Sequence, residues 1–223
     1  MDEVKAVVLD IDGTLLLSNE AHARSYVDAA NTLGIPNKFE TILRLIGKGS
    51  DKLIPEAFGF DSESDLGKSL DTLKSKVFKT QYLLTLKPAP GARALLRRLR
   101  QDGRRLVVAT SASKEDIASL LGRAEVKDLV EETTSADETA ASKPEPDVVA
   151  AALKKVETTP NAAVMLGDTP YDIEAARRAG VAIIAFRCGG WTDKDLHGAV
   201  AVYDHPADLL AHYGESVLAS RRS

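Results

Sequence analysis

The chain is 223 residues long, 44% hydrophobic and 28% charged, and its 29 Lys+Arg against 33 Asp+Glu leave a net charge of −4. These proportions are those of a soluble globular protein and exclude a chain that is mainly disordered, collagenous or coiled coil. The length suits one large domain, or one domain carrying a smaller insert; the mildly acidic balance gives no footprint for nucleic acid; the single cysteine, Cys188, allows neither an internal disulfide nor a zinc cluster. The longest nearly unbroken apolar run, residues 179–186, falls far short of the ~18–20 residues of a membrane span. Residues 1–5 are acidic and run straight into a strand pattern, so no signal peptide is expected. The expected compartment is the cytoplasm, with no membrane partner.

In chain order, residues 6–11 (AVVLDI) come first, a continuous aliphatic run of the kind that forms a strand buried on both faces of a parallel sheet. The stretch from 15 to 86 breaks that rhythm and reads as helix over 20–33, 39–46, 51–58 and 65–84. Gly34-Ile35-Pro36 and Gly59-Phe60-Asp61 are the breaks between helices, and Ser50 or Asp51 is the expected cap of the third. A structureless connection of that length does not suit a compact domain, so a helical insert is expected just after the first strand. A helical face with Leu95, Leu96 and Leu99 follows, then a strand run at 106–110 and helical spacing at 117–121 and 148–156. Further strand runs occupy 163–167, 181–186 and 199–203, and residues 218–223 are expected to fray. The alternation predicts an α/β fold, a doubly wound parallel sheet with right-handed crossovers. The expected division is an α/β core of residues 1–15 and 87–223 and an α-helical cap of residues 16–86.

Chemistry-bearing residues gather where these strand runs end. Asp10 and Asp12, two apart on an extended chain, project to the same side, and Gly13 then frees the backbone to turn. Thr110 and Ser111 offer hydroxyls at the end of another run, with Ser113 the better N-cap of the next helix. Lys143 is pushed out of helical geometry by Pro144. Asp168 directly follows the run at 163–167, and Thr169, Pro170 and Asp172 have the spacing of a helix start with a capping pair. Capping accounts for Asp172 but not for Asp168. In a parallel sheet these strand ends share one edge, where ligands bind. Carboxylates crowded there need compensation, which Lys143 and a bound Mg²⁺ would supply, and a phosphoryl group would complete the charge pattern.

These segments resemble the haloacid dehalogenase-like hydrolase superfamily, and within it the phosphoglycolate phosphatase and β-phosphoglucomutase branch. Asp10-Ile11-Asp12-Gly13-Thr14-Leu15 is similar to its DxDGTL motif, Thr110 to its second motif, Lys143 in SKPEPD to its third and residues 167–172 (GDTPYD) to its fourth. The resemblance implies a Rossmann-like core with an inserted helical cap. It also implies that Asp10 is the nucleophile that becomes an aspartyl-phosphate and that Asp12 protonates the leaving oxygen and then activates water. By the same resemblance, Mg²⁺ would be held by Asp10, the backbone carbonyl of Asp12 and Asp168, with Asp172 behind them, while Thr110 and Lys143 bind phosphoryl oxygens. Whether Thr110 or Ser111 is the second-motif hydroxyl depends on where the strand ends; Thr110 is favoured.

The expected activity is Mg²⁺-dependent hydrolysis of a small organic phosphate, phosphoglycolate or a sugar phosphate. Asp12 disfavours carbon–halogen cleavage, which needs no acid, and the cap disfavours a macromolecular substrate. Lys48, between Gly47 and Gly49, and Lys52 are candidate readers of the leaving group. The loop 187–191 is a candidate entrance lining, although a purely structural loop is the stronger reading. A sugar phosphomutase using the same residues is the alternative; a receiver-like signalling domain fits less well, lacking the paired Asp and the insert. The expected partner is a small phosphorylated metabolite, with the chain a monomer or homodimer.

Overall fold

Side chains alternate across a strand, so a strand apolar at every position demands cover on both faces. The computed structural model, which describes residues 3–139 and 142–219, provides it. Strands β1 (Ala6–Leu9), β2 (Arg105–Ala109), β3 (Glu132–Thr134), β4 (Ala163–Gly167), β5 (Ala182–Phe186) and β6 (Ala201–Tyr203) form one parallel sheet in the order β3-β2-β1-β4-β5-β6. Val7, Leu9, Leu106, Val108, Leu166 and Ile184 face one apolar layer, closed by α5 (Ala92–Gln101), α6 (Lys114–Arg123) and α9 (Pro206–Ala211). Ala6, Val8, Val107, Met165 and Ile183 face the other, closed by α7 (Asp147–Lys155) and α8 (Pro170–Arg178). Leu95, Leu96 and Leu99 of α5 are all buried, as their spacing predicts.

The helices between β1 and α5 build a third apolar cluster of their own. They are α1 (Asn19–Thr32), α2 (Phe39–Leu45), α3 (Ser50–Phe58) and α4 (Asp65–Val77), with Tyr26, Ile42, Leu53, Ile54 and Leu70 buried among them. Fully burying one such side chain contributes about 1.5–3 kcal/mol, which is why an insert this short can hold its shape. Leu16, Ala21, Phe78 and Leu86, at the two ends of this segment, pack instead with the sheet's cluster.

Several expected boundaries move, for identifiable reasons. Strand β1 stops at Leu9 rather than residue 11, because the Ile11 carbonyl accepts from the amides of Thr14, Leu15 and Leu16 and the chain turns there. Strand β3 has no aliphatic run to announce it, being Glu-Thr-Thr at the sheet's edge beside β2. The fourth helix is regular only to Val77, continuing as a π turn over Phe78–Tyr82 and a 3₁₀ turn over Leu83–Thr85. Gly49 occupies the N-cap of α3, not Ser50 or Asp51, and Ser113 stands at the N-cap of α6 while its hydroxyl donates to Asp116. Residues 220–223 lie outside the described residues, but Leu218 is buried and its carbonyl accepts from Arg104 at 3.1 Å, so the chain is anchored that far. No helix among the described residues is long and apolar enough to cross a membrane.

Candidate active site

The strand order reverses between β1 and β4, and crevices at such a switch point lie beyond the carboxyl ends of the strands. Asp10 follows β1 and Asp168 follows β4; their parallel register, Leu9 opposite Leu166, brings the two ends level. A cavity of about 340 Å³ opens beyond them, lined on the sheet side by Asp10, Asp12 and Thr110 and on the helical side by His22, Lys48 and Lys74.

Lys143 is 1% exposed, and its ammonium reaches Asp10 Oδ1 at 2.5 Å and Asp172 Oδ1 at 2.7 Å. Asp168 accepts from Thr14 Oγ1 and Asn19 Nδ2, both at 2.8 Å. A Cβ on Gly13, where φ is +76°, would stand 2.1 Å from Asp168 Oδ2, and one on Gly189 1.8 Å from it. Both positions therefore have to be glycine for the carboxylate to lodge where it does. Asp172 closes the capping box of α8: its Oδ2 accepts from the Thr169 amide at 3.0 Å while Thr169 Oγ1 accepts from the Asp172 amide at 3.1 Å. Its other oxygen is left for Lys143, so capping and charge balance use different atoms of one side chain.

Carboxylate oxygens of Asp10, Asp168 and Asp172 lie within 4.8 Å of one another, all buried. Burial raises the Asp10 carboxyl to about 7; Lys143 opposes this, and Asp172 and Asp12 add to it. Burial and the charges of Asp172 and Asp10 raise Asp168 well above the usual carboxylate range, against the hydrogen bonds from Thr14 and Asn19. Burial would discharge Lys143, but Asp10 and Asp172 overrule it and hold the ammonium above its ordinary range. One cation thus pairs with two of the three clustered carboxylates, and the cluster is short of positive charge. An all-oxygen donor set of this kind suits a hard divalent cation such as Mg²⁺, so these residues fit the metal.

Asp12 belongs to a different circuit. Its Oδ1 accepts from Ser18 Oγ at 2.5 Å and lies 2.9 Å from His22 Nε2. Burial pushes the Asp12 carboxyl up, but His22 and Ser18, with Lys74 beyond, outweigh it and hold it below the usual range. His22 is itself fixed by stacking on Phe78, ring centroids 4.0 Å apart. The Asp12 side chain is therefore outside the carboxylate cluster, and only its backbone carbonyl is left for the metal role expected of it.

Of the remaining expected residues, Thr110, Ser111 and Lys48 line the cavity, whereas Lys52 and Cys188 are not among its lining residues. Thr110 is buried at the end of β2, its Oγ1 accepting from the Ala112 amide at 3.1 Å. Ser111 Oγ donates to the Gly47 carbonyl at 3.1 Å, tying the helical insert to the sheet. The Lys48 ammonium is engaged by Glu56 and lies 4.8 Å above the Tyr171 ring, and Lys52 reaches Glu145 at 3.5 Å. Cys188 packs against the Gly13 carbonyl, with its thiol pushed up to about 12 by burial and by Asp168. Thr14, Ser18, Asn19, His22 and Lys74 are contributors the sequence reading missed. Thr14 lay within the motif already singled out; Ser18 is the N-cap of α1, and Asn19, His22 and Lys74 sit on α1 and α4 with no spacing relation to the strand ends.

The family described as "Haloacid dehalogenase-like hydrolase" matches residues 7–186. The phosphoglycolate phosphatase of Nitrosospira multiformis is 30% identical over 199 residues, covering 87% of this chain and 88% of the relative. That of Rhodospirillum rubrum is 30% identical over 215 residues, covering 92% and 89%. Among solved structures, a hydrolase from Pseudomonas syringae superposes with a TM-score of 0.88 at 26% identity, covering 97% of this chain and all of that one. The chain belongs to the haloacid dehalogenase-like hydrolase family.

Proposed function

We propose that this haloacid dehalogenase-like hydrolase is a Mg²⁺-dependent phosphatase that hydrolyses small organic phosphate monoesters through an aspartyl-phosphate on Asp10. The observation that carries the reading is the placement of Asp10, at the floor of the cavity, bonded to Lys143 and crowded by Asp168 and Asp172. A cavity of about 340 Å³ admits a small metabolite rather than a macromolecule.

Asp10, Asp168 and the Asp12 carbonyl would hold the Mg²⁺, with Asp172 orienting Lys143 behind them. When bound, the cation offsets the carboxylate charge and that of the phosphoryl oxygens. An Asp10 oxygen attacks phosphorus as the ester P–O bond breaks, and a proton shared between His22 Nε2 and Asp12 Oδ1, 2.9 Å apart, passes through Asp12 to the departing alkoxide. Asp12, now ionised, takes a proton from water; the water oxygen bonds to phosphorus, the bond to Asp10 breaks and inorganic phosphate leaves. Splitting transfer into two displacements replaces one hard step by two easier ones. Lys143 favours the ionised form of Asp10 against the effect of burial and counters the growing charge. Thr110 is better placed than Ser111 to donate to a phosphoryl oxygen, because the Ser111 hydroxyl is committed to Gly47. The helical segment 16–86 acts as the cap, sealing the cavity from bulk water through the contacts of Gly47, Gly49 and Lys52 with the core.

The test is phosphate release from a panel of small phosphomonoesters, with Mg²⁺ and with excess chelator. Release that requires both Mg²⁺ and Asp10 is expected. Conversion of β-glucose 1-phosphate to glucose 6-phosphate without free phosphate would replace the phosphatase with a mutase, and full activity in chelator would remove the metal from the scheme.

A further inference from the structure

Neighbouring residues at the start of the insert hold two different acids of the site. Ser18, the N-cap of α1, donates to Asp12, and Asn19, the first residue of α1, donates to Asp168. The Ser18 contact bears on proton transfer, whereas the Asn19 contact takes no part in making or breaking a bond. Asn19 is only 7% exposed, and a buried amide costs free energy unless its hydrogen bonds are made. Both of its N–H groups are used: Nδ2 lies 2.8 Å from Asp168 Oδ2 and 2.9 Å from the Gly189 carbonyl. Its Oδ1 is buried and has no donor within hydrogen-bond reach among the described residues. The side chain is therefore held in place by its donors, and one of them is aimed at a carboxylate.

The surroundings are shaped to admit that amide. A Cβ on Gly13 would stand 2.4 Å from Asn19 Nδ2. The Gly189 carbonyl is presented by the 3₁₀ turn Arg187–Gly189, which is pinned from several sides. The Cys188 amide donates to the Asp204 carbonyl at 2.9 Å, the Cys188 thiol donates to the Gly13 carbonyl at 3.2 Å, and the Arg187 guanidinium pairs with Asp193 and Asp204. The loop after β5 thus fixes the far end of the Asn19 side chain. Asp168 receives one donor on each oxygen, Thr14 Oγ1 on Oδ1 and Asn19 Nδ2 on Oδ2. A carboxylate has about four acceptor positions, so each oxygen keeps one for a cation while the plane of the group is set by the two donors. With Thr14 alone, the carboxylate could swing about a single contact.

We propose that Asn19 is a positioning residue for the divalent cation: it fixes the Asp168 carboxylate in the orientation Mg²⁺ requires, and it couples cation affinity to the seating of α1, the first helix of the insert. The inference rests on the metal site of the phosphatase reading above. Mg²⁺ demands near-octahedral coordination and tolerates a misaimed ligand poorly, whereas Ca²⁺ accepts looser geometry. A ligand already oriented by a hydrogen bond loses little further freedom when the cation arrives, and removing such an outer partner typically costs about tenfold to hundredfold in metal affinity. Coupling of this kind is reciprocal, so bound Mg²⁺ stabilises the first turn of α1 in return.

The experiment is isothermal titration calorimetry of the full chain, stripped of metal by chelator, with Mg²⁺ and separately with Ca²⁺. It compares the wild type with Asn19→Leu, which keeps much of the volume but has no donor, and with Asn19→Ala. The Kd for Mg²⁺ is expected to rise by about tenfold to hundredfold in both variants, and that for Ca²⁺ by distinctly less. Unchanged Mg²⁺ affinity in the folded variants overturns the proposal, and so does an equal loss for the two cations, which would mean a general loosening of the site; either result leaves the phosphatase reading standing. If neither variant folds, the wild type decides. The His22 amide donates to the Ser18 carbonyl at 2.9 Å, and saturating Mg²⁺ is expected to slow hydrogen exchange of the amides at 22–25 several-fold. Exchange there that is unaffected by a bound cation overturns the coupling. A wild type that binds no Mg²⁺ removes the metal site and this proposal together.

Discussion

Two aspartates two residues apart have opposite surroundings, and that difference assigns their work. Asp10 lies among carboxylates with one lysine to balance them, and burial lifts its carboxyl to about 7. Asp12 faces His22 and Ser18, and despite its burial stays below the usual range. Removing the first as a charge should be near-fatal: Asp10→Asn is expected to lower phosphate release by at least about 10³-fold, since a member of a catalytic unit accounts for nearly the whole of its effect. A rate above a tenth of wild type would remove the covalent step. Removing His22 should act through Asp12. Its loss lets burial dominate, the Asp12 carboxyl rises, and more of it is protonated at a given acidic pH. In the proposed mechanism, breakdown of the aspartyl-phosphate needs Asp12 ionised, so His22→Ala should move the acidic limb of kcat to higher pH as well as lower the plateau. A lower plateau with an unmoved limb would reduce His22 to a packing role against Phe78.

At the scale of elements, function depends on how ends and inserts are fixed. The capping box of α8 shows one element's end doing two tasks, with Thr169 and Asp172 satisfying the first turn while Asp172 also receives Lys143. The helical segment between β1 and α5 has its own apolar cluster, separate from both layers on the sheet. Leu70 is fully buried within it. Leu70→Ala should destabilise by about 2–5 kcal/mol. Because the cluster is separate, the loss should emerge first as local opening. Hydrogen exchange should quicken in α1, α2 and α4 while amides of β1 and β4 keep their protection. Uniform loss of protection across both regions would mean the insert and sheet unfold as one unit.

For the whole molecule, the buried carboxylate cluster makes stability depend on pH and metal together. In the metal-free protein Asp10 binds its proton more tightly when folded, about 7 against an ordinary 3.8. The folded state then carries more protons than the unfolded one, so stability is greatest below about pH 4 for this group and falls as pH rises through about 7. Asp168 is raised as well and acts in the same direction. A cation binding only the folded state adds RT ln(1 + [L]/Kd) and replaces those protons. Thermal unfolding in chelator should show a midpoint falling between about pH 5 and pH 8 on this account, and saturating Mg²⁺ should raise it more at pH 8 than at pH 5. An equal Mg²⁺ increment at both pH values would place the cation away from these carboxylates.

The local reading reached far because the core is built from continuous aliphatic runs. Residues 163–167 became β4 without change, and the neighbouring positions Asp10, Thr110 and Asp168 were legible as strand-end groups from that pattern alone. Thr169 and Pro170 announced the start of α8 in the same local way, since capping is a contact between residues three apart. Strand β3 was not legible, because an edge strand of Glu, Thr and Thr needs no aliphatic face and exists through pairing with β2. Nor was the company each acid keeps. His22 and Lys74 reach Asp12 because α1 and α4 pack together over the strand ends, and Asn19 reaches Asp168 across 149 residues of sequence. Lys48 lines the cavity and Lys52 is not among its lining residues, and the two are bonded to Glu56 and Glu145, partners that only the folded insert brings within reach. The sequence by itself determined which residues stand at the strand ends, since strand formation and capping follow from neighbours along the chain. The tertiary structure alone decided which of those charges are shared and which are spent, because electrostatic partnership depends on distance and burial in space.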